Sequence, residues 1–140
     1  MRDILFRGKS NNKWVYGYFI QALDIENKPL KNCIIENMSD VNVVDGKVKQ
    51  DYYEIELSSL GQYTRLIDKN GTKIFDGDIL VFCKGATYPI KVYWDGLGWK
   101  FLRNGKRIDD AFECNIISHI QECEVIGNIY DNPELLEGNV

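Results

Sequence analysis

Apolar residues in this chain recur at every second position or in short runs, and seldom at helical spacing. That period belongs to strands, whose side chains alternate between two faces. Ile4-Leu5-Phe6 and Trp14 to Ile20 predict two strands, with the polar stretch Gly8 to Lys13 as the turn between them. In the second, Trp14, Tyr16, Tyr18 and Ile20 share one face, and Val15, Gly17 and Phe19 share the other. Both faces are apolar, so the strand is expected at the centre of a sheet or at an interface. Asp24 to Asn32 reads as a polar loop. Further strands are predicted at Asn32 to Ile35, on either side of an Asp45-Gly46 turn (Val41 to Val44, and Val48), and at Tyr52 to Leu57.

The stretch GQYTRLIDKNGTKIFDGDILVF, Gly61 to Phe82, is the most tightly patterned. Asn70-Gly71 predicts a type I′ hairpin turn, because both residues tolerate positive φ. Thr72 to Phe75 is the return arm, Asp76-Gly77-Asp78 breaks it with Gly77 at positive φ, and Ile79 to Phe82 leaves as a buried strand. Pro89 to Trp94 and Trp99 to Leu102 flank Asp95-Gly96-Leu97-Gly98, a second hairpin with a loop of about four residues. Ala111 to Gln121 fits a short helix and a strand equally well. Glu124 to Tyr130 predicts a closing strand, and Asn132-Pro133-Glu134 a helical turn with Asn132 as its cap. Turn signals at intervals of about 8–15 residues predict a mainly β fold, a small antiparallel barrel or sandwich with one or two short helical turns near the C-terminus. The 140 residues suit one compact unit, or two lobes dividing as 1–60 and 61–140.

Composition supports this reading: aromatic residues make up 12% of the chain, and Gly outnumbers Pro 12 to 3. The first residues carry Arg2, Asp3 and Arg7 with no apolar run behind them, which predicts a cytoplasmic protein with no signal peptide and no membrane partner. The four cysteines, Cys33, Cys83, Cys114 and Cys123, are then reduced thiols. None forms a C-x-x-C pair, so neither a metal nor a cofactor is expected. Beside apolar neighbours, each reads as a small hydrophobe.

The net charge of −4 is unevenly spread. Residues 1–60 are nearly balanced, residues 61–107 carry nine basic against four acidic groups, and residues 108–140 carry eight acidic and no basic ones. The expectation is that the basic and acidic segments pack side by side and neutralise one another, rather than forming a polyanion-binding face.

The chemistry available for a site is thin. Asp76 and Asp78 flank a glycine turn, which explains both without catalysis. His119 lies four residues from Cys123 and five from Cys114, a distant candidate for a nucleophilic pair. No enzyme activity is expected. Basic residues interleaved with aromatics form the more serious constellation: Lys84, Lys91, Trp94, Trp99, Lys100 and Arg103 are the candidate ligand-binding or nucleic-acid-binding residues. Against this stands cross-strand packing of Trp94 and Trp99 at a hairpin end. Binding to another protein or to a second copy is the first expectation, and nucleic acid the second.

Three blocks carry a family resemblance. Gly61 to Phe82 resembles the YopX signature G-Q-Y-T-G-L-x-D-K-N-G, followed by an aromatic, an acidic residue and G-D-I-V. Ile4 to Ile20 is similar to that family's F-R-G…W-V-Y-G-Y opening, and Glu124 to Leu136 to its E-V-I-G-N-I-Y-E-N-P-E-L ending. The blocks cover about 50 of the 140 residues. The resemblance implies a phage or prophage source, a mainly β fold with an SH3-like C-terminal half, and no catalytic residues, the family being of uncharacterised function. Arg65 stands where the family commonly has Gly, which suggests a different local turn.

Overall fold

A computed structural model of the chain describes residues 5–23, 26, 29–36, 41–44, 47–50, 52–82, 89–103, 106–107 and 120–136. The chain divides into two compact units, Met1–Gln62 and Tyr63–Val140. Both are built from antiparallel strands, as the period-two pattern predicts.

In the first unit, β1 (Phe6–Ser10) and β2 (Lys13–Leu23) form a hairpin in which Ser10 faces Lys13. Its two-residue turn is Asn11-Asn12, with φ of 51° and 65°. This is the type I′ geometry, in which two side-chain amides tolerate the left-handed region. Strands therefore run well into the stretch that the sequence suggested as turn. β3 (Pro29–Ile35) pairs with β2 and takes in part of the supposed polar loop. β4 (Val41–Val44) and β5 (Lys47–Gln50) pair across the two residues 45 and 46. β6 (Tyr53–Glu54) adds to β3, and β7 (Glu56–Ile67) starts beside β1, giving the order β6-β3-β2-β1-β7.

That order forces curvature. Glu54 pairs with Cys33 on one side of the sheet and Glu56 with Lys9 on the other, yet only Ile55 separates them. Four strand spacings span about 19 Å in a flat sheet. Two residues of chain reach only about 7 Å. The sheet must roll, and Ile55 plugs the roll, buried with Val15 and Ile34 against Phe6, Phe19 and Leu60. No ladder joins β6 to β7, so the roll stays open.

In the second unit, the later half of β7 pairs with β8 (Lys73–Phe75), and a five-stranded sheet has the order β12-β11-β10-β9-β13. These strands are β9 (Asp78–Phe82), β10 (Ile90–Trp94), β11 (Trp99–Arg103), β12 (Lys106–Arg107) and β13 (Cys123–Asn128). Ile74, Leu80, Ile90, Val92, Phe101, Ile120 and Cys123 make its core. Among the described residues, the expected closure into a barrel is not found. The turn after β7 occupies β13 instead of β12: Lys69 N–H donates to the Cys123 carbonyl at 2.9 Å, and Val125 N–H to the Asp68 carboxylate at 2.9 Å.

The Asn70-Gly71 turn is also corrected. Gly71 alone is left-handed, with φ 80°. Gly71 N–H donates to the Asp68 carbonyl at 3.1 Å, and Asp68 N–H to the Thr72 carbonyl at 2.9 Å. This is a three-residue loop ending in a left-handed glycine, favoured because the Asp68 side chain organises it. Gly77 is left-handed as expected, with φ 89°. Asn132 precedes the 3-10 helix Pro133–Leu135 but makes no side-chain cap. Its Oδ1 accepts from Asn128 N–H at 3.3 Å instead. Most of the Ala111 to Gln121 segment lies outside the described residues; its end enters a 3-10 turn, Ile120–Glu122.

Arg65 keeps the backbone that a glycine would favour. Its φ is 71°, at a break in register between the pairs Tyr63–Phe75 and Ile67–Lys73. The bulge therefore persists without its glycine, at a steric cost of about 1–2 kcal/mol for a residue with a Cβ. Arg65→Gly is expected to stabilise the protein by roughly 0.5–1 kcal/mol, after the entropy that glycine loses on folding. A urea-unfolding midpoint at or below that of the parent would contradict this.

Candidate functional site

The β10–β11 hairpin holds most of the candidate residues, and its register decides how they are grouped. Val92 pairs with Phe101 and both are buried, so that face is the core face. Trp94 pairs with Trp99 one step along the same face. The rings meet edge-on with centroids 5.1 Å apart, and Trp99 packs against the core. Lys91 pairs with Leu102, and Tyr93 with Lys100, on the opposite face. The structure thus places Trp94 and Trp99 on one face and Lys91 and Lys100 on the other. The side chain of Arg103, and all of Lys84, lie outside the described residues.

The hairpin loop has the predicted length and a defined shape. Asp95 Oδ1 accepts from Leu97 N–H at 2.8 Å and Gly98 N–H at 3.0 Å. Asp95 N–H donates to the Gly98 carbonyl at 3.2 Å, and Gly96 is left-handed at φ 93°. The loop is therefore held by its own polar groups, with Leu97 at the tip 94% exposed and Trp94 49% exposed. Sequence reasoning noticed the tryptophans but passed over Leu97, which only its position at the apex makes notable.

A second surface lies on β2. Val15 and Phe19 face the first unit's core, whereas Tyr16, Tyr18 and Ile20 are 43%, 50% and 41% exposed. On the same face as Tyr16, Trp14 carries the Arg7 guanidinium 4.5 Å from its ring centroid and the Lys9 ammonium at 5.3 Å. Near this hairpin a polar groove of about 820 Å³ is lined by Lys9, Asn11, Asn12, Tyr52, Tyr53 and Glu54, among others.

The charged groups with the most determined environments hold the fold. Asp68 is buried, and its carboxylate accepts from Asn70 N–H at 2.8 Å, Thr72 N–H at 2.9 Å and Val125 N–H at 2.9 Å. Burial raises its pKa, but the three backbone donors outweigh burial and hold the carboxyl below its ordinary value of 3.8. Asp78 is also buried and accepts from Phe75 N–H at 2.7 Å, closing the turn around Gly77. Asn128 Oδ1 accepts from Tyr130 N–H at 3.0 Å and Asp131 N–H at 2.9 Å.

Cys33 and Cys123 are buried cysteines in the reduced form, and burial, helped by Glu54, pushes the Cys33 thiol up, away from the reactive thiolate. His119, Cys83 and Cys114 lie outside the described residues. Among the described residues, no cluster of His, Cys, Asp and Glu has metal-binding geometry, and no helix is long and apolar enough to cross a membrane.

The segments 61–107 and 108–140 do meet, since β9 of the first pairs with β13 of the second, but the basic strands beyond β9 do not take part. In sequence, β10 to β12 carry Lys91, Lys100, Arg103, Lys106 and Arg107 against Asp95, whereas residues 120–136 carry Glu122, Glu124, Asp131 and Glu134 and no base. In the sheet, β9 stands between β10 and β13, so these stretches are not neighbours. A contact that is seen between the basic and acidic segments is that of Lys69 with Glu124, at 3.9 Å.

Comparison with known proteins agrees with this architecture. A crystal structure of protein EF1440 from Enterococcus faecalis aligns with a TM-score of 0.65 over 96% of this chain and 99% of that chain. At 23% identity, that likeness speaks for the fold alone. Among curated proteins, none matches this chain. The family model described as YopX protein matches residues 5–137, which takes in all three signature blocks from Leu5 onwards, and the chain belongs to the YopX family.

Proposed function

We propose that this chain acts by binding rather than by catalysis, as a cytoplasmic accessory protein of a phage or prophage that contacts protein surfaces, including those of further copies of itself. The observation that carries this reading is the division of β2, in which Val15 and Phe19 fill a core while Tyr16, Tyr18 and Ile20 remain exposed on the other face. Tyrosine supplies large contact area at low entropic cost and is enriched in protein interfaces. The buried polar groups support the same reading: Asp68, Asp78 and Asn128 bond to nearby backbone, which gives them a structural task.

Light scattering during size-exclusion chromatography is expected to give a mass above the 16.2 kDa of one chain. Tyr18→Asp is expected to weaken that association, because it buries a charge in the contact. A clean monomer at every concentration removes self-assembly from the reading. Nucleic acid is the lesser alternative, carried by Lys91, Tyr93 and Lys100 on one strand face. Phosphate contacts strengthen as salt falls, so no binding to DNA or RNA at low salt dismisses it.

A further inference from the structure

The polar groove of about 820 Å³ lies where the roll of the first unit stays open. One lip is the end of β1 with its turn, Lys9 to Asn12, and the other is Tyr52 to Glu56. Lys9 pairs with Glu56, but the chain just before Glu56 leaves β1 at Ile55 and lies along β3. The lips therefore diverge from that pair, and among the described residues no ladder joins them. The ladder with β3 decides what the second lip offers. Ile55 N–H donates to the Asn32 carbonyl at 2.9 Å, and the same register pairs Glu54 with Cys33 and Tyr53 with Ile34. Successive residues of an antiparallel ladder turn their backbone groups to opposite sides. Ile55 and Tyr53 turn theirs to β3, so Tyr52 and Glu54 turn theirs away from it, along the edge that borders the groove. Side chains alternate as well: Tyr53 shares a face with the buried Ile55 and Ile34, and Tyr52 and Glu54 share the other. Across the groove, Asn11 and Asn12 supply carboxamides, which carry the donor and acceptor types of a peptide group.

We propose that this groove binds an extended polypeptide segment of a partner protein, which adds as a strand to the edge of β6 at Tyr52 and Glu54. This rests on the protein-binding reading above and gives the partner a conformation and a place. Backbone chemistry selects the occupant: a strand edge is matched by another strand, whose far side then meets the Asn11 and Asn12 carboxamides. Charge contributes little. Lys9 stands across from Glu56, and Lys31, which donates to the Tyr52 hydroxyl at 3.4 Å, feels the Glu54 carboxylate. From Tyr52 to Ile55 the edge runs about 10 Å, which matches about four residues of an added strand. Of these, a residue on the face of Tyr53 and Ile55 is apolar, and its neighbours beside Tyr52 and Glu54 are polar.

The test selects binders of the full chain from a library of displayed random peptides and studies them as synthetic peptides. A bound peptide is expected to slow hydrogen exchange of the Tyr52 and Glu54 amides at least about tenfold and to leave the Tyr53 amide, already turned to β3, unchanged. N-methylation along the peptide is expected to weaken binding at every second amide, by about tenfold or more where the amide faces β6. Glu54→Pro removes the outward N–H but no bond to β3, at a place where an edge strand tolerates proline. It is expected to weaken binding by a similar factor, whereas Glu54→Ala is not. Hydrogen exchange of β2 and β3 amides checks that the variant folds, and the exchange and N-methylation patterns stand without it. Peptide binding that survives in folded Glu54→Pro overturns the site, and its loss in Tyr18→Asp would move it to β2. Failure to select any peptide also overturns the site, while the mass from light scattering judges self-assembly separately.

Discussion

Asp68→Ala is expected to cost about 3–4 kcal/mol, a large share of the roughly 5–15 kcal/mol that holds a domain folded. One carboxylate accepts three backbone N–H groups, two within its own turn and one 57 residues away on β13. Hydrogen bonds to a charged acceptor contribute about 1.5–3 kcal/mol each and are not additive here, because one side chain makes them all. Alanine leaves three donors to find water at a buried position. Urea unfolding, followed by the fluorescence of the second unit's tryptophans, measures the loss. A change under about 1 kcal/mol would mean that the turn holds without its carboxylate.

The same residue predicts an acid dependence whose sign is fixed. Its native pKa lies below the ordinary 3.8, so the folded protein binds this proton more weakly than the unfolded chain does. The contribution is complete above the unfolded value, about 3.9, and is lost as pH falls from there through the lower native value. Stability should therefore drop below about pH 4, and the drop should be shallower in Asp68→Asn. Equal slopes in the two proteins would show that other carboxylates control acid unfolding.

Gly17→Ala is expected to be the most disruptive alanine substitution among the described glycines, costing about 4 kcal/mol or more. A Cβ there would fall on the Ile35 carbonyl oxygen and lie 2.7 Å from its carbonyl carbon and 2.8 Å from Glu36 Cα. These are backbone atoms of a paired strand beside the fully buried Ile34, so neither can move without breaking the β2–β3 ladder. Gly71 makes the useful contrast. It has φ 80° but open space around it, so alanine there should cost only about 1 kcal/mol of backbone strain. Hydrogen exchange at β2 and β3 amides reads the difference: protection should disappear in Gly17→Ala and survive in Gly71→Ala. Retained protection in Gly17→Ala would mean that the strand can shift to admit a methyl group.

These two residues mark how far the sequence could be read. Strands at Trp14 to Ile20, Ile79 to Phe82 and Pro89 to Trp94 were legible because period-two alternation and glycine turns are local properties. The Asp95 to Gly98 loop was legible for the same reason. Turn type was harder. Asn70-Gly71 invited a type I′ turn, but Asp68 reaches two and four residues along its own chain and stabilises a longer loop, while Asn11-Asn12 takes the I′ geometry without any glycine. Arg65 held its bulge because the pairs on either side of it outweigh a strain of about 1–2 kcal/mol.

The candidate site divides in the same way. Composition brought Lys91, Trp94, Trp99 and Lys100 together, but strand parity sends the lysines and tryptophans to opposite faces. Within each strand that parity is local, but which faces of β10 and β11 coincide follows from the pairing register, set by the loop between them.

By itself, the sequence determined the all-β class, most strand positions, the family and the uneven charge. Each is written in residues close together in the chain. Tertiary structure alone decided that Asp68 ties a turn to β13, that Gly17 lies against the backbone of β3, that the first unit's sheet rolls around Ile55, and that basic and acidic strands stand apart across β9. Each of those joins residues distant in the chain, whose meeting depends on strand order and register. No local period encodes them.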